Sequence, residues 1–145
     1  NSEGSRPEAV VSGVTRDLPG KTEHRWMAPM DKNGAWLELA WEKPQKLTNV
    51  QLTFDSGFQR ELTLTSSDSH SKGMIRAPQP ETVKDYTIVA KTADGKETVL
   101  AEVKGNHQRL RRHTFPAVDV QSIRVIVHAT NGAKEARIYE VRAYA

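Results

Sequence analysis

The stretch "WLELAW", Trp36 to Trp41, decides the fold. Successive side chains of a strand point to opposite faces, so Leu37, Leu39 and Trp41 share one face and Trp36, Glu38 and Ala40 the other. A helix would need apolar residues at i, i+3, i+4 and i+7, and nowhere does the chain keep that spacing for long. Outward from this segment the same alternation recurs. "NVQLTFD" sets Val50, Leu52 and Phe54 together, "DYTIVAK" sets Tyr86, Ile88 and Ala90 together, and "SIRVIVHA" sets Ile123, Val125 and Val127 together. Further strands are expected at Thr98 to Lys104, Arg112 to Ala117, in "ARIYEVRAY" at the end, and in "VVSGVT" around Val14 as the first strand. "EKPQ", "ADGK" and "TNGAKE" supply turn chemistry between them. About eight short strands with such punctuation predict an all-β, antiparallel jelly-roll β-sandwich.

The chain has 145 residues, 37% of them hydrophobic, which is enough for one core and one domain. Residues 1–10 read as a linker or disordered N-terminus, and 11–145 as the sandwich. The start, "NSEGSRPEAV", has neither Met nor a signal-peptide core and reads as a piece of a longer chain. No apolar run reaches the roughly 18 residues of a membrane span. With no cysteine there is no disulfide, thiolate metal site or Cys nucleophile.

If consecutive strands are antiparallel, alternate connections share an end of the sandwich. One end then receives only short turns. The other receives Arg16 to Gly34, Asp55 to Val83, Lys104 to Arg111 and Thr130 to Glu135, carrying most of the candidate binding residues. The connection from Asp55 to Val83 is far longer than the usual loop of about 4 to 6 residues, and "ELTLTSS" inside it is expected to add a short strand. "KGNHQRLRRHTF" also falls at this rim. Alternation divides its arginines between two faces, and with 6% aromatic residues and acids mixed throughout it does not make a nucleic-acid platform. A net charge of +3 leaves room for an anionic partner. No nucleophile elbow, phosphate loop, dinucleotide fingerprint or His-Glu-x-x-His motif is present, and no independent catalytic activity is expected.

In this order, "HRW", "WLELAWEKPQKLTNVQLTFD", "VKDYTIVAKTADGKE", "RRHTFPAVDVQSIRVIV" and "NGAKEARIYEVRAY" resemble the discoidin-like domains, also called coagulation-factor type C or galactose-binding-like domains. The likeness covers about residues 11 to 145. "FDSGFQRELTLTSSD" and "PQPETVKDYTI" are more narrowly similar to C-terminal domains of bacterial FAD-dependent oxidoreductases and of polysaccharide-active proteins.

The resemblance implies a non-catalytic carbohydrate-binding module of a larger, bacterial, polysaccharide-active protein, secreted or periplasmic, holding a neutral or anionic glycan at the loop rim. Its alternatives are an accessory domain packed on its parent enzyme through Trp36 and the edge near Tyr144, and a protein- or lipid-interaction domain using Met27, Met30, Phe58 and Met74. Candidate ligand contacts are His24, Arg25, Trp26, Arg60, Arg76, Asn106 and Arg109. Trp26 would either stack on a pyranose or plug the sandwich end, and Asn106 would either touch ligand or support the turn after Gly105. The arginines offer forked donors for vicinal hydroxyls, carboxylates or sulfates. The family's Ca²⁺ loop, "D-G-D-x-x-T-x-W", corresponds here to "DLPGKTEHRW", with its second acid missing. A structural Ca²⁺ would use Asp17, Thr22 and Glu140.

Overall fold

The structure, a computed structural model, describes the chain apart from Asn1, Glu3, Gly4, Pro19 and Thr22. A short 3-10 helix at Pro7–Val11 precedes β1 (Trp26–Pro29) and β2 (Ala35–Phe54). After a short α1 (Asp68–Gly73) come β3 (Val83–Lys91), β4 (Glu97–Val103), β5 (Leu110–Thr130) and β6 (Glu135–Tyr144). All pairings are antiparallel, in the order β1-β6-β2-β5-β3-β4.

Two of these strands are long enough to serve both layers. β2 pairs with β5 over Ala35–Ala40, Gln45–Leu47 and Asn49–Thr53, with register shifts between Ala40 and Gln45 and between Leu47 and Asn49. Pro44 and Pro116 lie in the unpaired stretches, where a residue without an N–H costs the ladder nothing. The "EKPQ" turn, Glu42 to Gln45, and the stretch at Gln121 facing it are therefore a bulged corner within β2 and β5 rather than free turns. Counting each long strand twice gives a sandwich of two four-stranded layers. One runs from the first half of β2 through the second half of β5 to β3 and β4. The other runs from the first half of β5 through the second half of β2 to β6 and β1.

The inward faces are those set by alternation: Val50, Leu52, Phe54, Tyr86, Ile88, Ala90, Ile123, Val125 and Val127 are all fully buried. Each large apolar side chain so buried contributes roughly 1.5–3 kcal/mol from its removal from water. Phe54 of one layer meets Tyr86 of the other edge-on at 5.2 Å, which clamps the layers. Trp41 packs, partly buried, against this core. The Tyr86 hydroxyl bonds His113 Nε2 at 2.9 Å, and burial, helped by Arg111, lowers the His113 pKa.

Three sequence expectations change. The first strand is at Trp26–Pro29 and not around Val14, because Pro7 starts a 3-10 turn that tucks Val10 into the core. The described part of residues 1–10 is not a free linker: Ser2 N–H donates to the Met27 carbonyl at 2.8 Å, and Met27 N–H donates to Ser5 Oγ at 2.6 Å. "ELTLTSS" forms no strand, and α1 follows it.

The register also fixes the poles. Ala40, Ser122 and Lys91 align across the sheet, placing the corners and the Thr92–Lys96 hairpin at one end. Val83 and Thr130 align at the other, where the long connections emerge.

Candidate functional site

At that second pole the long connections are stitched to one another. Asn131 N–H donates to the Thr82 carbonyl at 3.1 Å, Ala133 N–H to that of Pro80 at 3.0 Å, and Asn106 N–H to that of Lys84 at 2.8 Å. The hub is Asp55, 1% exposed, at the end of β2. Its Oδ1 accepts the Gly57 N–H at 2.9 Å, while Oδ2 lies 3.4 Å from Arg137 and 3.7 Å from Arg25. Arg25 also bonds the Asp17 carboxylate and donates to the Tyr139 hydroxyl at 3.0 Å. Burial works to lower the Arg25 pKa, but the Tyr139 hydrogen bond and the charges of Asp55 and Asp17 outweigh it and raise it. Tyr139, pressed by burial and by the Asp55 charge, is pushed up to about 12. Arg109 donates to the Phe54 carbonyl at 2.9 Å and to that of Thr15, and its guanidinium lies 4.3 Å from the Phe58 ring centre and 5.1 Å from that of Tyr139.

Beside this cluster Arg60 forks onto Glu81, with bonds of 2.7 and 2.6 Å, and onto Gln79 Oε1 at 2.7 Å. Hydrogen bonds from Arg60, against the opposing effect of burial, hold the Glu81 carboxyl at about 2. Gly57, at φ +74°, lets the guanidinium lie against bare backbone; a Cβ there would collide with it.

The outer surface of this network is a cleft of about 500 Å³ lined by Phe58, Arg60, Glu61, Ser69 and His70. Phe58 is 48% exposed, a ring backed by a cation on one side and open at the cleft. Such a pairing of an apolar ring with nearby donors and acceptors suits a sugar, whose C–H face is apolar and whose edge is hydroxylated.

The expected contact residues separate into three groups. Arg60 lines this cleft, and Arg25 and Arg109 form the charged wall beneath it. Arg76 is exposed in a neighbouring cleft with Asp68, Ser71, Lys72 and Met74, and His24 is half-buried with Nε2 lacking a hydrogen-bond partner among the described residues. Trp26 and Asn106 are turned inward. Trp26, 1% exposed, belongs to the core, so its ring is closed to a sugar. The Asn106 amide bonds the Val83 carbonyl at 2.7 Å while its oxygen accepts from Gln108 N–H and Arg111, which fixes the turn and leaves nothing for ligand.

Of the metal candidates, Thr22 lies outside the described residues. Asp17 is bonded by Arg25, and Glu140 is ion-paired with Arg142 at 2.7 Å. Among the described residues no cluster of three or more His, Asp or Glu suits a metal ion, so the donor set does not fit Ca²⁺; a guanidinium stands beside Asp17 where the cation was expected. Of the candidate lipid spikes, Met27, Met30 and Met74 are each partly buried and Phe58 is 48% exposed. Phe58 and His70 in the cleft wall, and Asp55, Glu81 and Tyr139 as partners of the arginines, were not among the expected contacts.

Comparisons with known proteins agree with this architecture. Residues 1–72 match a family model described as a domain of unknown function (DUF7402). A search of curated proteins gives no match. Among solved structures, the chain is similar to the family 32 carbohydrate-binding module of Streptococcus pneumoniae EndoD, with a TM-score of 0.71, 19% identity, and coverage of 99% of this chain and 88% of that one. It is also similar to chitosan-binding module 1 of the chitosanase/glucanase from Paenibacillus sp. IK-5 (0.70, 13%, 99% and 88%). The family 32 module of C. perfringens NanJ, solved in complex with galactose, is comparable (0.69, 16%, 99% and 88%). The chain thus has the discoidin-like, galactose-binding-like β-sandwich fold. No helix among the described residues is long and apolar enough to cross a membrane.

Proposed function

We propose that this domain is a non-catalytic carbohydrate-binding module that takes a glycan in the rim cleft. Phe58 stacks on a pyranose face, His70 and Glu61 bond its hydroxyls, and Arg60 adds the one N–H that Glu81 and Gln79 leave over. Arg109 positions the platform directly and Arg25 supports it through Tyr139 and Asp55, while Arg76 offers a further donor from the cleft on the other side of α1. The observation that carries this is the half-exposed Phe58 ring, held by Arg109 beside a fixed guanidinium in a cleft of about 500 Å³. Support comes from the fold, shared with modules described as binding galactose or chitosan. The setting we propose is a larger bacterial polysaccharide-active protein, secreted or periplasmic, whose catalytic domain the module holds on its substrate.

The test is retention of the domain by immobilised neutral, uronic and sulfated glycans. At least one class is expected to retain it, with Phe58→Ala weakening the affinity about 10-fold, near 1.4 kcal/mol. Absence of binding to every class would overturn the proposal.

A further inference from the structure

A second cleft, of about 540 Å³, opens at the side of the sandwich between the edge strand β1 and the first half of β2. Trp36 lines it and is 61% exposed, on the outward face of β2. Its ring is held in place. The Arg124 guanidinium stands 5.1 Å from the ring centre and is itself fixed by two contacts to Glu38 Oε2, at 3.0 and 3.3 Å. Glu38 Oε1 accepts the Ser122 hydroxyl at 2.6 Å; that bond, with Arg124 and against burial, lowers the Glu38 pKa.

The turn above the ring is equally fixed. Asn33 N–H donates to Asp31 Oδ1 at 2.6 Å and Gly34 N–H to the Asp31 carbonyl at 3.0 Å. Gly34 sits at φ +82°, where a Cβ would collide with the Val127 carbonyl oxygen. Asp31 and Asn33 are exposed and face the cleft together with Trp36 and Glu38, and among the described residues that line it none is basic.

We infer that this lateral cleft is a second saccharide subsite, distinct from the Phe58 cleft and selective for uncharged or amino sugars. The indole has one face backed by Arg124 and offers the remainder to the C–H face of a pyranose. The Asp31 carboxylate accepts from ring hydroxyls or an ammonium, and the Asn33 amide does both. The Asp31 carboxylate disfavours uronic or sulfated residues by like-charge repulsion and would attract a protonated glucosamine, while the Glu38 charge is matched by Arg124. An ordered aromatic at this exposure, set beside Asp31 and Asn33 on a locked turn and Glu38 on β2, differs from a plain apolar docking face, which would have no use for fixed hydroxyl acceptors.

The experiment is isothermal titration of the 145-residue domain, wild type, Trp36→Ala and Phe58→Ala, with galactose, glucosamine trisaccharide and galacturonic acid. Galactose or the glucosamine trisaccharide is expected to bind Phe58→Ala and to lose at least 10-fold in Trp36→Ala, whose melting temperature stays at the wild-type value. Galacturonic acid is expected to be unaffected by Trp36→Ala. The inference is overturned if Trp36→Ala binds every probe as wild type does. It is equally overturned if the substitution only abolishes self-association, which would give the face to a second copy. Loss in Trp36→Ala with no effect of Phe58→Ala would retain the lateral site while removing the rim one, so the two readings fail separately.

Discussion

The rim cleft and the lateral cleft reach similar size by opposite means. The rim is made of loops, and its geometry is held by charge: Asp55 between Arg25 and Arg137, and Glu81 under Arg60. The lateral cleft is made of the edge strand β1, the first half of β2 and the short Asp31–Gly34 turn between them, and its aromatic rests on a sheet whose register already fixes it, with the Glu38–Arg124 ion pair steadying the ring. Loops carry no ladder of their own, so they must borrow order from buried ion pairs; a strand needs only a small adjustment. The rim should therefore be fragile to mutation and acid, and the lateral cleft robust to both.

The largest expected difference comes from Asp55→Asn. Removing the carboxylate leaves two guanidinium groups facing a buried neutral amide, and the domain should lose about 3 kcal/mol in denaturant unfolding. Next is Arg60→Ala, which strands the Glu81 carboxylate, 7% exposed, and should cost about 1–3 kcal/mol by the same measurement.

Acid should read the same network. The Glu81 carboxyl titrates at about 2 in the folded chain against an ordinary 4.5, so its contribution is full above 4.5 and is lost as pH falls toward 2. His113, lowered from 6.5 by burial and Arg111, behaves similarly in a higher window: its contribution is full above 6.5 and declines below it. Melting temperature against pH should show both declines in the wild type, and Arg60→Gln should flatten the lower one while leaving the upper. The smallest effect is expected for Trp36→Ala, within about 0.5 kcal/mol of wild-type stability, because the ring is exposed and fills no core space.

How far the sequence reaches follows the same division. Strands were legible because alternation is local: Leu37, Val50, Ile88 and Val125 could be assigned to the core from their neighbours alone. β1 was not, because four residues ending in proline carry too little period to see, and Val10 entered the core from a 3-10 turn rather than a strand. The corners of β2 and β5 read as turns because a bulge and a turn use the same residues. At the rim the cations were visible but their partners were not. Arg25 meets Asp55 and Arg60 meets Glu81 across long separations in the chain, so whether an arginine is free for ligand or spent on a carboxylate was decided by folding. Trp26 and Asn106 went inward for the same kind of reason: the core and the turn supply partners that no local pattern announces.

The central claim is that saccharide binds among the long loops at Phe58. Backbone amide NMR of the labelled domain, titrated with the glycan that retains it, tests this most directly. The largest shifts are expected at Phe58 to Glu61 and Ser69 to Gly73, with the Thr92–Lys96 hairpin at the opposite pole unmoved. Shifts confined to that hairpin and the β2 corner, with the Phe58 segment silent at saturation, would contradict it.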